Sequence, residues 1–215
     1  MPRPSQHLDR RLIAAARDML PETGLTGLSL REIARRAGVN VGMFHYHFKS
    51  KRAFQRRVLD ECYEDFLGTF REAAEGPGAP RERLRRVLIA VARFARDNRA
   101  SYALMIRELL NAQPEMASFA RANFPRHAAI VMRLLEECRR ERTVRPLPVP
   151  ALAMFAMSSM ALPGVAVTAF ERNGVRTLGG RPFKEFAAML LSDSMIETRA
   201  DMVLAALAPA RGRSR

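Results

Sequence analysis

Cysteine is nearly absent, with Cys62 and Cys138 the only two in 215 residues. Two thiols cannot build a disulfide framework, and no Cys/His cluster has the spacing of a zinc site. Such a chain suits a reducing cytoplasm, each cysteine being either a buried structural side chain or half of a redox pair. Enzyme signatures are missing as well: no Gly-x-Ser-x-Gly elbow, phosphate loop, dinucleotide fingerprint or His-Glu-x-x-His occurs. His45 and His47 lie two apart in a helical stretch, so their rings diverge and cannot share a metal. No catalytic residue, metal or cofactor is therefore expected. Residues 1–12 are polar and basic with no apolar run, which gives no sign of a secretory leader. Acidic residues are in deficit: 22 Asp and Glu stand against 36 Lys and Arg, for a net charge of +14. That excess points to nucleic acid, with a membrane surface as the competing partner.

What is present is apolar periodicity of helical type, in a chain that is 48% hydrophobic, with no convincing strand. The most informative stretch is 29–51, SLREIARRAGVNVGMFHYHFKSK. Ser29 followed three residues later by Glu32 has the form of a capping box, so a helix is expected to start at Leu30. Leu30, Ile33, Ala34 and Ala37 give it one apolar face, and Gly38 ends it in the left-handed conformation. Asn40 suits the N-cap of a second short helix whose Phe44 and Phe48 point inward together. Val41, Gly42, Met43, His45 and Tyr46 then face outward, a surface with no acidic residue. Such a face suits a helix lying in a DNA major groove. Lys49 and Lys51 follow, with Ser50 placed to cap a further helix whose N-terminus would aim free N–H groups at a phosphate.

The run Gly38-Val39-Asn40-Val41-Gly42-Met43-Phe44-His45-Tyr46-His47-Phe48-Lys49-Ser50-Lys51 resembles the recognition helix and exit of the TetR/AcrR family of bacterial transcriptional regulators, whose pattern is Gly-Val-x-x-Gly-x-x-Tyr-x-His-Phe-x-Ser-Lys. His45 departs from it, standing where the family usually has a tyrosine on the operator backbone. The resemblance covers residues 8–60 and implies an all-α fold: an N-terminal three-helix DNA-binding domain over 1–55, and a helical bundle for ligand binding and dimerisation over 56–215. It implies that Val41, Gly42, Met43 and Tyr46 meet base edges, from a helix that Asn40 caps. Arg31 can fork onto a guanine, and His45, His47, Lys49, Ser50 and Lys51 hold phosphates. Arg3 on the polar arm, Arg10, Arg11, Arg35, Arg36, Arg52, Arg56 and Arg57 add positive charge around the motif.

The remaining chain reads as helices. One over 7–23 carries Leu12, Ala15, Ala16, Met19 and Leu20 inward. A long one from Ser50 to about residue 74 would serve, by the resemblance, as a lever between domains. Residues 76–80 (Gly-Pro-Gly-Ala-Pro) form the clearest breaker. Helices follow over 81–98, 102–111 and 114–142, then the stiff connector 146–150. Residues 151–170 carry no charge, long enough to span a bilayer. Pro163-Gly164 is expected to break that helix, and an interface between subunits equally requires an uncharged surface. After a glycine-rich loop over 173–180, one last helix is expected over 182–207, then a basic tail.

Met105, Phe119, Phe124, Phe155, Met157, Met160 and Phe170 are the candidates to line a pocket for a bulky apolar molecule, each of them equally an ordinary core residue. Tyr102, Asn123 and His127 add polar groups on apolar helices. On the last helix, Phe183, Phe186 and Leu190 form one stripe and Met189, Ile196 and Val203 another on the opposite side. Two stripes need two partners, so the last two helices of two copies would meet in a four-helix bundle. The function expected is a cytoplasmic, homodimeric, sequence-specific regulator, a repressor released from double-stranded operator DNA by a small hydrophobic effector. A ligand-independent regulator acting through protein partners, an activator of the same fold, and a peripheral membrane protein are the alternatives.

Overall fold

The computed structural model describes residues 5–209, without the side chains of residues 5–7 and of His45. The expectations for Arg3, for the His45 side chain and for the tail over 210–215 lie outside the described residues. The architecture is all-α, apart from one two-stranded ladder. Two compact units divide the chain: residues up to Asp65 with Ala100–Asn123, and Phe66–Arg99 with residues from Phe124 onward. This differs from the division expected at residue 55.

The first unit holds α1 (Ser5–Thr23), α2 (Leu30–Ala37), α3 (Val41–His47), the start of α4 (Lys51–Glu75), nearly all of α6 (Arg99–Leu110) and the start of α7 (Pro114–Arg140). Its core gathers Leu12, Ala16, Met19 and Leu20 of α1 with Leu25, Leu28, Ile33, Ala34, Phe44, Phe54, Val58 and Leu59. Residues of α6 and α7 belong here because specific contacts tie them in. The Tyr63 hydroxyl donates to the Asn123 carbonyl at 2.6 Å, and the Tyr63 ring stands edge-on to Phe119 at 5.6 Å.

Helix α2 ends as its glycine demands. Gly38 has φ +61°, its N–H bonds the Arg35 carbonyl, and Val39 N–H bonds the Ala34 carbonyl, the pair of bonds that closes a Schellman motif. Its start departs from expectation. Ser29 is the N-cap but makes no side-chain bond, and the Glu32 side chain, expected on the Ser29 N–H, goes to Arg35 and Arg36. Two guanidiniums three and four residues on outcompete one neutral backbone N–H for the carboxylate.

The second unit holds the rest of α4 and α7 with α5 (Pro80–Asp97), α8 (Val149–Arg172), β1 (Thr177–Leu178), β2 (Arg181–Pro182), α9 (Phe183–Leu190) and α10 (Asp193–Leu207). Leu84, Leu88 and Val91 of α5 meet Leu134, Leu135 and Cys138 of α7, Leu152, Ala156 and Met160 of α8, and Ile196, Ala200 and Val203 of α10. Strands β1 and β2 pair antiparallel across Gly179-Gly180, both at positive φ (57° and 77°), as a two-residue hairpin turn requires.

Two expectations fail here. Helix α8 runs unbroken through Pro163. Gly164 lies against α5, and a Cβ there would stand 2.9 Å from the Ala95 carbonyl oxygen. The two backbones thus pack closely at the point where local propensity would break the helix. The last helix, by contrast, is two: Leu191 closes α9, and Ser192 caps α10 by accepting from Met195 N–H at 3.2 Å. By length and composition α8 could cross a membrane. Its stripe of Leu152, Ala156, Met160, Gly164, Val167 and Thr168 is buried within the unit.

Gly164→Ala should push α8 off α5 and cost about 1–3 kcal/mol of stability, read by urea denaturation followed by circular dichroism. An unchanged midpoint would mean that the two helices do not touch there.

Candidate nucleic-acid interface

A seven-residue helix is too short to persist alone in water, so the caps and the inner face of α3 must hold it. Asn40 Oδ1 accepts from Gly42 N–H at 2.8 Å, and Phe44, with no exposed surface, is the wedge beneath. Its ring lies 5.3 Å from Phe48 and 5.0 Å, edge-on, from Phe54. With that face fixed, the opposite one is free: Val41, Gly42 and Met43 are exposed, and Tyr46 is 79% exposed. Lys49, Ser50 and Lys51 are exposed beside them. Ser50 Oγ takes the Ala53 N–H at 3.1 Å, starting α4 with its positive dipole end next to both lysines.

His47 does not join this surface. Three residues beyond Phe44, it falls on the inner side of the helix. Its side chain is 5% exposed, with Nδ1 2.7 Å from Asp9 Oδ1. The expected phosphate contact is therefore corrected: the imidazole fastens α3 to α1. The surrounding basic residues are also more committed than their number implies. Arg11 caps the end of α2 through the Ala37 carbonyl. Arg35 and Arg36 share Glu32, whose carboxyl their hydrogen bonds hold down to about 2. Arg52 pairs with Glu115, Arg56 with Asp60 and Arg57 with Glu61. Arg31, Lys49 and Lys51 make no ion pair among the described residues, which leaves them for an outside anion.

An uncharged outer face bearing Tyr46 on a short capped helix, flanked by uncommitted cations and a helix N-terminus, suits a phosphate-lined groove. Residues 12–58, which contain all of it except the start of α1, match the family model described as bacterial regulatory proteins, tetR family. Through that segment the chain carries the DNA-binding domain of the tetR family. It is 24% identical over 155 residues to the probable HTH-type transcriptional regulator YttP of Bacillus subtilis, spanning 71% of this chain and 75% of YttP. To the HTH-type transcriptional repressor KstR2 of Mycolicibacterium smegmatis it is 32% identical over 89 residues, 40% of this chain and 43% of KstR2. That second match spans less than half of the relative. The transcriptional regulator FadR from Bacillus subtilis, solved in complex with stearoyl-CoA, shares the fold with a TM-score of 0.69 at 14% identity, covering 92% of this chain and 98% of FadR.

The other site residues expected of a TetR/AcrR regulator do not assemble into one pocket and one interface. Of the pocket candidates, Met105 and Phe119 belong to the first unit, where Phe119 is buried against Tyr63. In the second unit Met160 is buried in the core and Met157 half-buried against it, whereas Phe124, Phe155 and Phe170 are exposed. None lines the concavity found between α4 and α5 of the second unit. That is a half-open groove of about 500 Å³, with Phe66, Phe70, Ala73, Ile89, Ala90 and Phe94 on its walls and Arg86 and Arg93 among its polar residues. Phe66 and Phe94 stack at 4.6 Å, and His127 of α7 packs edge-on to Phe66 at 5.7 Å and to Phe70 at 6.2 Å. Phe66 and Phe70 stand four apart, a spacing that puts them on one face of α4, but no local pattern marks their meeting with α5.

The dimerisation stripes are corrected in part. The break at Ser192 shifts the phase of the helix, so Ile196 and Val203 turn into their own chain's core, and Phe183 is buried with Ala187 and Leu191. Phe186 and Leu190 pack half-buried on that cluster. Met189 remains exposed, and so do Met154, Phe155, Leu162 and Phe170 of α8 and Met202 of α10.

Burial among phenylalanines lowers His127 from 6.5 to about 4. Between those values the unfolded chain binds the proton and the folded chain does not, so stability is full above pH 6.5 and falls as pH drops toward 4. The loss should be at most about 3 kcal/mol, read as the unfolding midpoint at pH 7 and pH 4.5. His127→Phe should flatten the dependence, and an equal slope in that variant would remove His127 as its cause.

Proposed function

We propose that this DNA-binding regulator is a homodimeric repressor which leaves its operator when a small apolar ligand binds. The observation that carries the reading is the outward face of α3, with Tyr46 exposed beside the uncommitted Lys49 and Lys51. Two copies of α3 enter successive major grooves of a palindromic operator, about 34–36 Å apart. Asn40 fixes the start of that helix. Val41, Gly42, Met43 and Tyr46 meet base edges, Arg31 forks onto a guanine, and Lys49, Ser50 and Lys51 hold phosphates. Dimerisation uses the exposed apolar positions Met154, Phe155, Leu162 and Phe170 of α8 and Met202 of α10, apolar surface of a kind that water disfavours and a second copy covers. The aromatic groove of the second unit supports an apolar ligand, as does the stearoyl-CoA bound to FadR, and the name of KstR2 as a repressor supports the sign of regulation. The ligand releases DNA only to the extent that it binds one conformation better than the other. The work is done in the cytoplasm.

Fluorescence anisotropy on a duplex selected by the protein from a random-sequence pool tests the DNA contacts. Lys51→Ala should weaken every duplex alike and reduce the salt slope of log K by about 1 for each lysine–phosphate pair removed, whereas Tyr46→Ala should weaken the selected duplex and leave the slope unchanged. Undiminished affinity in both variants would remove α3 as the recognition helix.

For the dimer, Leu162→Glu combined with Met202→Glu should give monomers in sedimentation at micromolar concentration, where the unaltered chain sediments as a dimer. A variant that stays dimeric would place the interface elsewhere.

A further inference from the structure

Glu108 of α6 is the only buried carboxyl among the described residues, 3% exposed, and neither the recognition surface nor the aromatic groove uses it. Its Oε1 accepts from Thr26 N–H at 3.1 Å and from Thr26 Oγ1 at 3.0 Å, across 82 residues of sequence. Thr26 sits in the turn between α1 and α2, and that turn is shaped to admit the carboxylate. Gly24 has φ +67°, and a Cβ there would stand 2.8 Å from Oε1. From the other side Gln55 of α4, also buried, donates to the Leu25 carbonyl at 2.6 Å. The turn that leads into the helix-turn-helix is thus gripped by two polar side chains, one from α4 and one from α6.

The grip from α6 has two weak points. Glu108 Oε2 is buried with no hydrogen-bond partner among the described residues, so everything the carboxylate gains there comes through one oxygen. A buried acceptor left bare is costly, and a small displacement of α6 breaks both Thr26 bonds together. Immediately after Glu108, α6 closes with Gln113 N–H on the Glu108 carbonyl and Ala112 N–H on the Leu109 carbonyl, and Ala112 takes φ +50°. Glycine adopts that conformation cheaply and alanine does not. A strained helix end adjoining a single-oxygen tie is a point at which a small shift of α6 would release the turn.

We propose that Glu108 is a positioning residue for operator binding: it sets the place of α2 and α3 by holding Thr26, and its release loosens the recognition helix. The proposal rests on the DNA-binding reading above. It adds a named point at which movement of α6 reaches the helix-turn-helix.

The experiment uses the full-length protein, the duplex it selects from a random pool, and a scrambled duplex of the same length. Glu108→Ala should weaken the selected duplex about tenfold while leaving the scrambled one unchanged, and should speed hydrogen exchange at the Thr26 amide. Glu108→Gln keeps an acceptor at Oε1 and should restore most of the affinity. Thr26→Val removes only the hydroxyl donor, and combined with Glu108→Ala it should weaken binding no further than Glu108→Ala alone. Thr26→Val alone, which loses one of the two bonds, should weaken the selected duplex severalfold, and it keeps the test decisive if the alanine variant does not fold, since Thr26→Val at full affinity would then overturn the proposal. So would Glu108→Ala binding the selected duplex as tightly as wild type, or weakening selected and scrambled duplexes equally. A wild-type protein that selects no duplex fails at the first step, which marks the DNA-binding reading itself as the one at fault.

Discussion

The Phe44 side chain, wedged between Phe48 and Phe54, is the contact on which the DNA-binding surface depends. Seven residues cannot hold a helix by backbone bonds alone, and burying one phenylalanine supplies roughly 1.5–3 kcal/mol. Once that ring is inside, helical geometry decides the rest. Residues three and four away turn inward, which is why His47 meets Asp9 and Phe48 completes the wedge. Residues one and two away turn outward, which exposes Met43 and Tyr46. The caps at Asn40 and Gly38 then set where α3 begins and how it leaves α2. Sequence, local geometry and surface chemistry are linked here through a single buried ring.

Charge tells a more selective story than composition. A net +14 gives the whole chain a positive field that draws it toward DNA at long range. Around the helix-turn-helix, though, most arginines are already engaged: one as a helix cap, others in pairs with Glu32, Asp60, Glu61 and Glu115. These pairs lie largely at the surface and add little stability. Their effect is to leave the uncommitted positive charge among these residues on Arg10, Arg31, Lys49 and Lys51. In the proposed complex, steering and contact thus fall to different residues.

The helix-turn-helix was legible because its signals are local. Gly38, Asn40 and Ser50 act within four residues of themselves, and Phe44 with Phe48 states the buried face outright. Glu32 shows where local reading runs out, since the same carboxylate can cap a backbone or join two guanidiniums, and spacing alone does not rank them. The far half was harder for a different reason. Whether Pro163 breaks α8 depends on how closely Gly164 seats on Ala95, on another helix far away in sequence. The split at Ser192 moved Ile196 and Val203 from an expected outer stripe into the core, because a heptad count assumes one continuous helix. The aromatic groove and the Glu108–Thr26 bond each join elements distant in sequence, and no periodicity announces such a meeting.

The central claim is that residues 40–51 form the surface that meets duplex DNA. Amide hydrogen exchange measured on the full-length protein, free and bound to a duplex that it has selected, tests this directly. The account predicts that binding slows exchange most across 40–51, in α3 and the first turn of α4. Unchanged exchange over those residues in a saturated complex, with protection confined to other helices, would contradict it.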